Sequence, residues 1–397
     1  MNQDDRKILA VTCYGHFLSH FNMLVFPAIL LPLADRLGME MALTLELGFW
    51  MYLLFGLTAL PWGILSDRFG PRPLLALFYF GAGCSALLAG RFLDSPGMLS
   101  LWLAGIGLFS GIYHPAGLGW IACCVSRTSA GMGYNGMAGN FGLAMGPLFA
   151  GLVNWLWGAQ AVYFLVGVMN LSGLLILWQV RTGAGCRTRK KEPAGSIASW
   201  PRFAVLLVAM MLGGIVYRGT TVTLPSLFQV QGGGVYGWLK TLVPGSLSAN
   251  VVATVITSCL YLVGMLGQFA GGRIGERYDL RWGYLFFHLC TVPLALVSGL
   301  LSDLPLVAVA MAHSFFLLGM QPMENTLVAR LTPPAMHSAA FGMKFVLTFG
   351  VGALAVKLVH FVETSWSLPL VLPALAWVSM LLVAVIGLLV RITPRVR

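Results

Sequence analysis

Long apolar runs alternate with short polar segments along the whole chain. The first run, Ile8 to Leu33, holds 26 residues without a charge. About 20 apolar residues in a helix cross the hydrocarbon core of a bilayer. The runs therefore predict twelve spanning helices, numbered here helix one to helix twelve, near residues 8–33, 43–66, 73–91, 98–125, 132–155, 160–180, 203–229, 249–272, 283–302, 305–329, 338–360 and 367–390.

Two boundaries between these helices fall in largely apolar sequence. Helices five and six share a charge-free stretch of 53 residues, 128–180, which is too long for one span, so a break is expected within 154–160. Helices nine and ten are divided only by Asp303 and Pro305. A polar, basic segment with Gly, Pro and Ser, residues 181–202, separates six helices from six and is typical of a linker. The predicted fold is therefore an all-α membrane protein with an N-terminal half (1–180), a linker (181–202) and a C-terminal half (203–397).

Composition independently supports a membrane protein. Hydrophobic residues make up 58% of the chain and charged residues only 9%, whereas soluble domains carry roughly 25% charged residues. So few charges do not cover a water-facing surface, and most of the outside of the molecule must face lipid.

The basic residues predict the orientation in the membrane. If loops are assigned alternately to the two sides, 18 of the 24 Lys and Arg residues fall on the side of the N-terminus, three fall on the other side, and three lie inside helices. Loops with such an excess of Lys and Arg are cytoplasmic. The net charge of +11 is thus explained by orientation in a bilayer, without a nucleic-acid partner, and both termini are expected in the cytoplasm.

The two halves contain matching sequence. The segment from Gly63 to Arg72 joins helices two and three, and the segment from Gly272 to Arg281, offset by 209 residues, joins helices eight and nine. His114-Pro115 in helix four likewise matches Gln321-Pro322 in helix ten. Parallel repeats of six helices are the layout of major facilitator transporters, with the substrate site between the halves near the middle of the membrane.

The first of these segments resembles the signature loop of the major facilitator superfamily, G-x-L-x-D-R-x-G-R-[KR]-x. Pro71 replaces the first basic residue of that pattern. The resemblance implies a monomeric secondary transporter without cofactor or enzymatic activity. Asp67 is expected to accept from backbone N–H groups at a neighbouring helix start and to pair with an Arg, forming a charged latch that favours one access state; the alternative is a loop that only sets topology. The signature positions are Gly63, Asp67, Arg68, Gly70 and Arg72 in the first copy, and Glu276, Arg277 and Arg281 in the second.

Helix five carries a second pattern of the superfamily. Its residues Gly133, Gly142, Gly146, Pro147 and Gly151 resemble the antiporter motif G-x8-G-x3-G-P-x2-G-G, with one Gly replaced by Ala. Small residues one turn apart let helix backbones approach closely, and proline bends a helix. The resemblance favours export, while ordinary close packing without a preferred direction is the alternative.

Helices one, four and five together are similar to the fosmidomycin-resistance-like branch of the superfamily, whose members are mostly considered drug exporters. The residues concerned are His16, His20 and Asn22 in helix one, His114 in helix four and Asn140 in helix five. Met23 stands where that branch tends to place an Asp, so the resemblance gives helix one no proton-carrying carboxylate.

The histidines allow more than one role. His16 and His20 lie one turn apart on one face of helix one, which is a metal-ligand spacing, but the sequence identifies no third ligand. Polar lining of a central cavity is therefore favoured over a metal site, and no metal is expected. His114 lies near the middle of the membrane, where it either titrates near neutral pH or makes a hydrogen-bonded helix contact.

Charged residues inside a bilayer are costly and mark function or pairing. Arg218 lies about 15 residues into helix seven, which at 1.5 Å per residue places it deep in the bilayer. It is expected to face the central cavity and to bind an anionic group or pair with an acid. Glu324 in helix ten and Lys344 in helix eleven are expected to form a buried ion pair, with Glu324 as a proton site as the alternative. Gln321 is a further cavity candidate.

These observations favour proton-coupled efflux of a small anionic or amphiphilic compound across the plasma membrane of a prokaryote. Uptake by the same fold is the alternative, and a non-transporting membrane sensor is a remote one. The sequence contains no H-E-x-x-H, G-x-S-x-G or Walker motif. The longest segment predicted to be non-helical, 230–248, is too short for a catalytic domain, so an enzyme is not expected.

Overall fold

The computed structural model of the protein describes residues 3–180, 199–242, 247–333 and 337–395. All regular elements in these ranges are helical. In the N-terminal half they are Gln3–Ala28, Leu30–Leu37, Met41–Glu46, Phe49–Leu57, Ala59–Phe69, Pro71–Arg91, Pro96–Ser110, Tyr113–Cys124 and Thr128–Trp178. In the C-terminal half they are Trp200–Gln231, Gly233–Leu242, Ala249–Arg277, Leu280–Ser298, Asp303–Gly319, Gln321–Leu331, His337–Phe345, Val346–Gly350, Val351–Ala353, Leu354–Ser365, Leu368–Leu370 and Val371–Ile392.

The number of spans agrees with the hydrophobic pattern. Among the described residues, ten helices are long and apolar enough to cross a membrane, and a pair bent by 108°, Leu30–Leu37 with Met41–Leu57, makes eleven. Thr128–Trp178 is two helices, because Gly158 has φ 83° and ψ 167°, which no helix allows. Division at Gly158, inside the predicted interval 154–160, gives the twelfth span and confirms the predicted order of helices.

Helices four and ten are each broken at the same place in the repeat. Helix four is interrupted after Ser110 and resumes at Tyr113, and helix ten is interrupted after Gly319 and resumes at Gln321. Pro115 and Pro322 follow these breaks, and a proline lacks the N–H and collides with the carbonyl four residues earlier. The repeated proline therefore explains the repeated break.

The described residues of segment 230–248, which was predicted to be non-helical, are mostly helical, so that prediction is wrong. Helix seven continues to Gln231, and Gly233–Leu242 forms a further helix. The backbone N–H of Val235 donates to the Asp303 carboxylate at 2.9 Å, and a carboxylate favours a helix N-terminus. Val235 is buried against Val251 and Val252. Capping and apolar contact thus outweigh the glycines of this segment.

Contacts divide the chain into two compact units, residues 1–190 and 191–397. Most of the predicted linker, residues 181–198, lies outside the described residues. In the N-terminal unit a Cβ on Gly63 would lie 3.5 Å from Pro115, and in the C-terminal unit one on Gly272 would lie 3.9 Å from Pro322. The matched sequence positions therefore make matched helix contacts within each unit.

The last arginine of the signature segment has an equivalent contact in each unit. Arg72, at the start of helix three, donates from Nε to the carbonyl of Val180 beyond helix six at 3.0 Å. Arg281, at the start of helix nine, donates to the carbonyl of Val390 in helix twelve at 3.0 Å and to that of Thr393. The last carbonyls of a helix have no partner within it. Both arginines thus stabilise the end of the sixth helix of their own unit.

Candidate functional site

Helix seven carries a buried polar segment. Arg218 is only 2% exposed, and every residue from 216 to 228 is buried. The side-chain oxygens of Thr220, Thr223 and Ser226 are buried, and no hydrogen-bond partner for them occurs in the part of the chain that the structure describes. Buried hydroxyls without partners are costly. This segment therefore combines a buried positive charge with buried hydroxyls that have no hydrogen-bond partner among the described residues.

The predicted ion pair between helices ten and eleven is confirmed. Lys344 Nζ lies 2.7 Å from Glu324 Oε1, and both side chains are buried. Lys344 also donates to Asn325 Oδ1 at 2.5 Å. The other carboxylate oxygen, Glu324 Oε2, accepts from the hydroxyl of Tyr284 at 2.8 Å. The carboxylate therefore accepts from one charged donor, Lys344, and one neutral donor, Tyr284. Removing the charge of Glu324 or of Lys344 alone would leave the other charge buried without a partner, which lowers stability.

Two histidines that the sequence analysis did not select lie in this region, and one of them, His288, contacts Tyr284. The ring of His288 packs edge-on against Tyr284 with centroids 4.8 Å apart. His288 and His313 are buried, and neither ring nitrogen of His288 has a hydrogen-bond partner among the described residues. Each histidine is flanked by several apolar residues on both sides along its helix, and that isolation is the sequence signal that was available for them.

The histidines of the N-terminal unit form one cluster. One ring nitrogen from each of His16, His20 and His114 lies within 4.8 Å of the other two. His16 Nε2 and His20 Nε2 are 3.1 Å apart. Helical spacing predicted the pair in helix one but no third ligand, and the structure supplies His114 from helix four.

Other predicted cavity residues make helix-to-helix contacts. Asn22 is 3% exposed and exchanges two hydrogen bonds of 3.0 Å with the amide of Asn170 in helix six. Gln321 accepts from Gln268 Nε2 at 2.7 Å. Asn140 is partly buried on helix five. In this structure Asn22 therefore connects helices one and six.

The signature segment is mostly helical. Ala59–Phe69 ends at Gly70, which has φ 83°, and the next helix begins at Pro71. Asp67 is exposed, and within the described residues its carboxylate has no hydrogen bond or ion pair. Arg68 lies over the ring of Phe69, 5.3 Å from its centroid. The charged latch stays a prediction.

An ion pair joins the last turn of the helix Leu30–Leu37 to the turn that follows the helix Pro71–Arg91. Arg36 Nε donates to Asp94 Oδ1 at 2.6 Å, and both side chains are exposed. The hydrogen bond from Arg36 lowers the pKa of the Asp94 carboxyl. An exposed pair of this kind contributes little to stability.

Glycines of helix five let it pack closely on helix one. A Cβ on Gly142 would collide with the backbone carbonyl of Phe17, and one on Gly146 would lie 3.1 Å from Leu24 Cβ. A Cβ on Gly133, by contrast, would have no heavy atom within 4 Å. Only part of the helix-five pattern therefore makes the close contact.

Replacing Gly142 by alanine is expected to destabilise the protein by about 1–3 kcal/mol, because the backbones must separate to admit the methyl group. The matched variant Gly133→Ala lies in open space and is expected to leave stability unchanged or to raise it by up to about 1 kcal/mol, since alanine favours helix. Thermal unfolding of both variants in detergent measures the difference. Equal unfolding temperatures would contradict the close contact.

Comparison with known proteins agrees with these features. The sequence matches the Major Facilitator Superfamily over residues 12–352. The chain is therefore a multi-pass membrane transporter and not an enzyme, and it belongs to the Major Facilitator Superfamily. It is 23% identical over 302 residues to the "multi-drug resistance efflux pump PmrA homolog" of Lactococcus lactis subsp. lactis (strain IL1403), covering 72% of this chain and 70% of that protein. It is 27% identical over 190 residues to the Escherichia coli "tetracycline resistance protein, class B", covering 45% and 44% respectively.

Solved structures have the same fold. A bacterial homologue of the human lysosomal transporter Spinster, in an inward-facing and unoccupied conformation, matches with a TM-score of 0.70 at 16% identity, covering 98% of this chain and 96% of that one. A mutant of the nucleoside transporter NupG matches with a TM-score of 0.69 at 15% identity, covering 96% and 99%. These likenesses establish the twelve-helix fold.

Proposed function

We propose that the protein is a proton-coupled exporter of a small anionic or amphiphilic compound that works by alternating access. The observation that carries this proposal is Arg218, a buried cation in a helix-seven segment that also contains buried hydroxyls. A guanidinium has five N–H donors that match a carboxylate or phosphate. A substrate with such a group gains charge-assisted hydrogen bonds in this segment.

The direction of transport is inferred from two observations. The proteins to which the chain is similar include one named an efflux pump and one named a resistance protein. Helix five carries a pattern that resembles the antiporter motif, and its Gly142 and Gly146 lie against helix one. Both observations support export over uptake.

Proton coupling is assigned to the buried network of the C-terminal half. Glu324 is the acidic residue of that network, and it contacts Lys344 and Tyr284. A buried carboxylate whose cationic partner moves away favours its neutral form and takes up a proton. Release of Lys344 from Glu324 during the access change would therefore couple protonation to transport.

We place the protein in the plasma membrane of a prokaryote, as a monomer with both termini in the cytoplasm. The bias of basic residues across the loops supports this orientation. The charged latch at Asp67 belongs to the same proposal, since its exposure leaves the carboxylate accessible to a donor in another access state.

Inverted membrane vesicles test the proposed function. A proton gradient is imposed, and lumenal pH is followed while anionic and cationic compounds are added in turn. An anionic compound is expected to release protons from the lumen in vesicles with the natural protein, and not in vesicles with Arg218→Ala or Gly146→Leu at equal abundance.

Two other outcomes would overturn parts of the proposal. A response to cationic compounds alone would remove the assigned role of Arg218. Flux of a labelled compound without any proton movement would replace proton-coupled export by uniport or by coupling to another ion.

A further inference from the structure

The three imidazoles of the N-terminal unit are arranged as a compact triangle. The ring centroids are 4.9 Å apart for His16 and His20, 5.3 Å for His16 and His114, and 5.2 Å for His20 and His114. Two rings come from one helix face, and the third comes from helix four. The cluster therefore depends on the packing of helix four against helix one.

The spacing of the nitrogens approaches that of ligands on one metal ion. Bonds of about 2.0–2.1 Å in a tetrahedral site place two imidazole nitrogens about 3.3–3.4 Å apart. His16 Nε2 and His20 Nε2 are 3.1 Å apart, and no ligand atom of the cluster is more than 4.8 Å from another. The remaining distances involve His114, and they would shorten toward this value on metal binding.

A backbone carbonyl fixes the tautomer of one ligand. His16 Nδ1 lies 2.8 Å from the carbonyl oxygen of Asn135. A carbonyl only accepts, so Nδ1 carries the hydrogen and Nε2 presents its lone pair to the cluster. Metal-bound histidines almost always donate their other N–H in this way. For its Nε2 to bind a metal ion, His20 would carry its hydrogen on Nδ1.

Packing also holds the ring of His16 in place. Tyr113 stacks on it with centroids 4.9 Å apart and an angle of 20°, and the Tyr113 hydroxyl accepts from Asn135 Nδ2 at 2.6 Å. On another side, a Cβ on Gly139 would lie 2.6 Å from the His16 ring. Asn135 thus orients both aromatic rings, and the absence of a side chain at Gly139 makes room for the imidazole.

We propose that His16, His20 and His114 bind a divalent transition-metal ion of the zinc class, with a fourth coordination position left for water. Imidazole nitrogens suit Zn²⁺, Co²⁺, Ni²⁺ and Cu²⁺, whereas Mg²⁺ and Ca²⁺ prefer oxygen ligands. Bound metal connects helix one directly to helix four. The site does not depend on the direction of transport or on the transported compound.

The test uses the full-length protein in detergent, purified through a tag without histidines. Co²⁺ serves as the probe because tetrahedral Co²⁺ absorbs visible light far more strongly than octahedral Co²⁺. The natural protein is expected to develop this absorption with one Co²⁺ per chain, to lose it when Zn²⁺ is added, and to unfold at a higher temperature with Zn²⁺.

Variants separate direct ligation from a structural role. His16→Gln, His20→Gln and His114→Gln are each expected to weaken Co²⁺ binding by about 100-fold or more, since loss of an outer contact alone costs roughly 10- to 100-fold. His360→Gln, in helix eleven, is the matched control and keeps binding unchanged. His114→Cys retains a ligand, so it is expected to bind Co²⁺ and to add a thiolate-to-cobalt absorption band.

Four results would overturn the site. The first is binding of Co²⁺ by the natural protein with only the weak octahedral spectrum, and the second is undiminished binding by the three glutamine variants. Binding that is lost in all four variants, including His360→Gln, would assign the metal to another place. His114→Cys that binds Co²⁺ without a thiolate band would exclude direct ligation by residue 114.

Discussion

Replacing Arg218 by alanine is expected to abolish transport while the protein remains in the membrane at its usual level. Each charge-assisted hydrogen bond to a bound anion contributes about 1.5–3 kcal/mol. Loss of one such bond weakens substrate binding by about 10- to 150-fold, since about 1.4 kcal/mol corresponds to a factor of ten. Alanine removes every bond that the guanidinium makes to the substrate. Uptake of a labelled anionic substrate into inverted vesicles, normalised to protein abundance, measures the effect.

Arg218→Lys separates charge from geometry. A lysine keeps the positive charge but not the planar pair of donors, so partial transport with weaker binding is expected. Thr221→Ser is a conservative control beside it, because the Thr221 hydroxyl donates to the Arg218 carbonyl at 3.0 Å and serine keeps that donor. Full transport by Arg218→Ala would exclude the arginine from substrate binding.

Removing the charge of Glu324 alone is expected to destabilise the C-terminal half by about 3–5 kcal/mol, because Lys344 keeps a buried charge without its carboxylate. The single variant Glu324→Leu therefore shows a large fall in unfolding temperature. The double variant Glu324→Leu/Lys344→Met removes both charges, and replacement of a buried pair by apolar groups is often neutral. Most of the lost stability is expected to return in the double variant.

Thermal unfolding in detergent measures both variants, with Arg36→Ala as a control for an exposed ion pair. The expected change for that control is within about 1 kcal/mol. If the double variant were as unstable as the single one, the pair would not act as a unit. Proton movement in vesicles with the stable double variant is expected to be absent while labelled-substrate exchange continues, which separates coupling from folding.

The sequence predicted the helices well because bilayer thickness sets their length. A charge-free stretch of 53 residues has to contain two spans. The backbone leaves the helical conformation at Gly158, within the interval where the break was predicted. Segment 230–248 was mispredicted for a local reason. Its helix depends on Asp303, a residue far along the chain whose carboxylate caps Val235.

The contacts of polar side chains were less predictable, because they depend on how each helix is rotated about its axis. His16 and His20 share a face by spacing alone, but His114 joins them through the packing of helix four against helix one. Asn22 finds its partner in a helix 148 residues later. The pair of Glu324 and Lys344 was predictable, because isolated opposite charges in apolar helices have few other partners.

The contacts of Arg72 and Arg281 bear on how the protein tolerates a cut in its backbone. Each arginine fastens the third helix of a unit to the end of the sixth, and both partners lie within the same unit. A break within residues 181–198 separates neither arginine from its carbonyl partner. Two separately encoded chains, one for each unit, therefore retain both of these hydrogen bonds. A break after helix four, in contrast, leaves Arg72 and Val180 on different polypeptides.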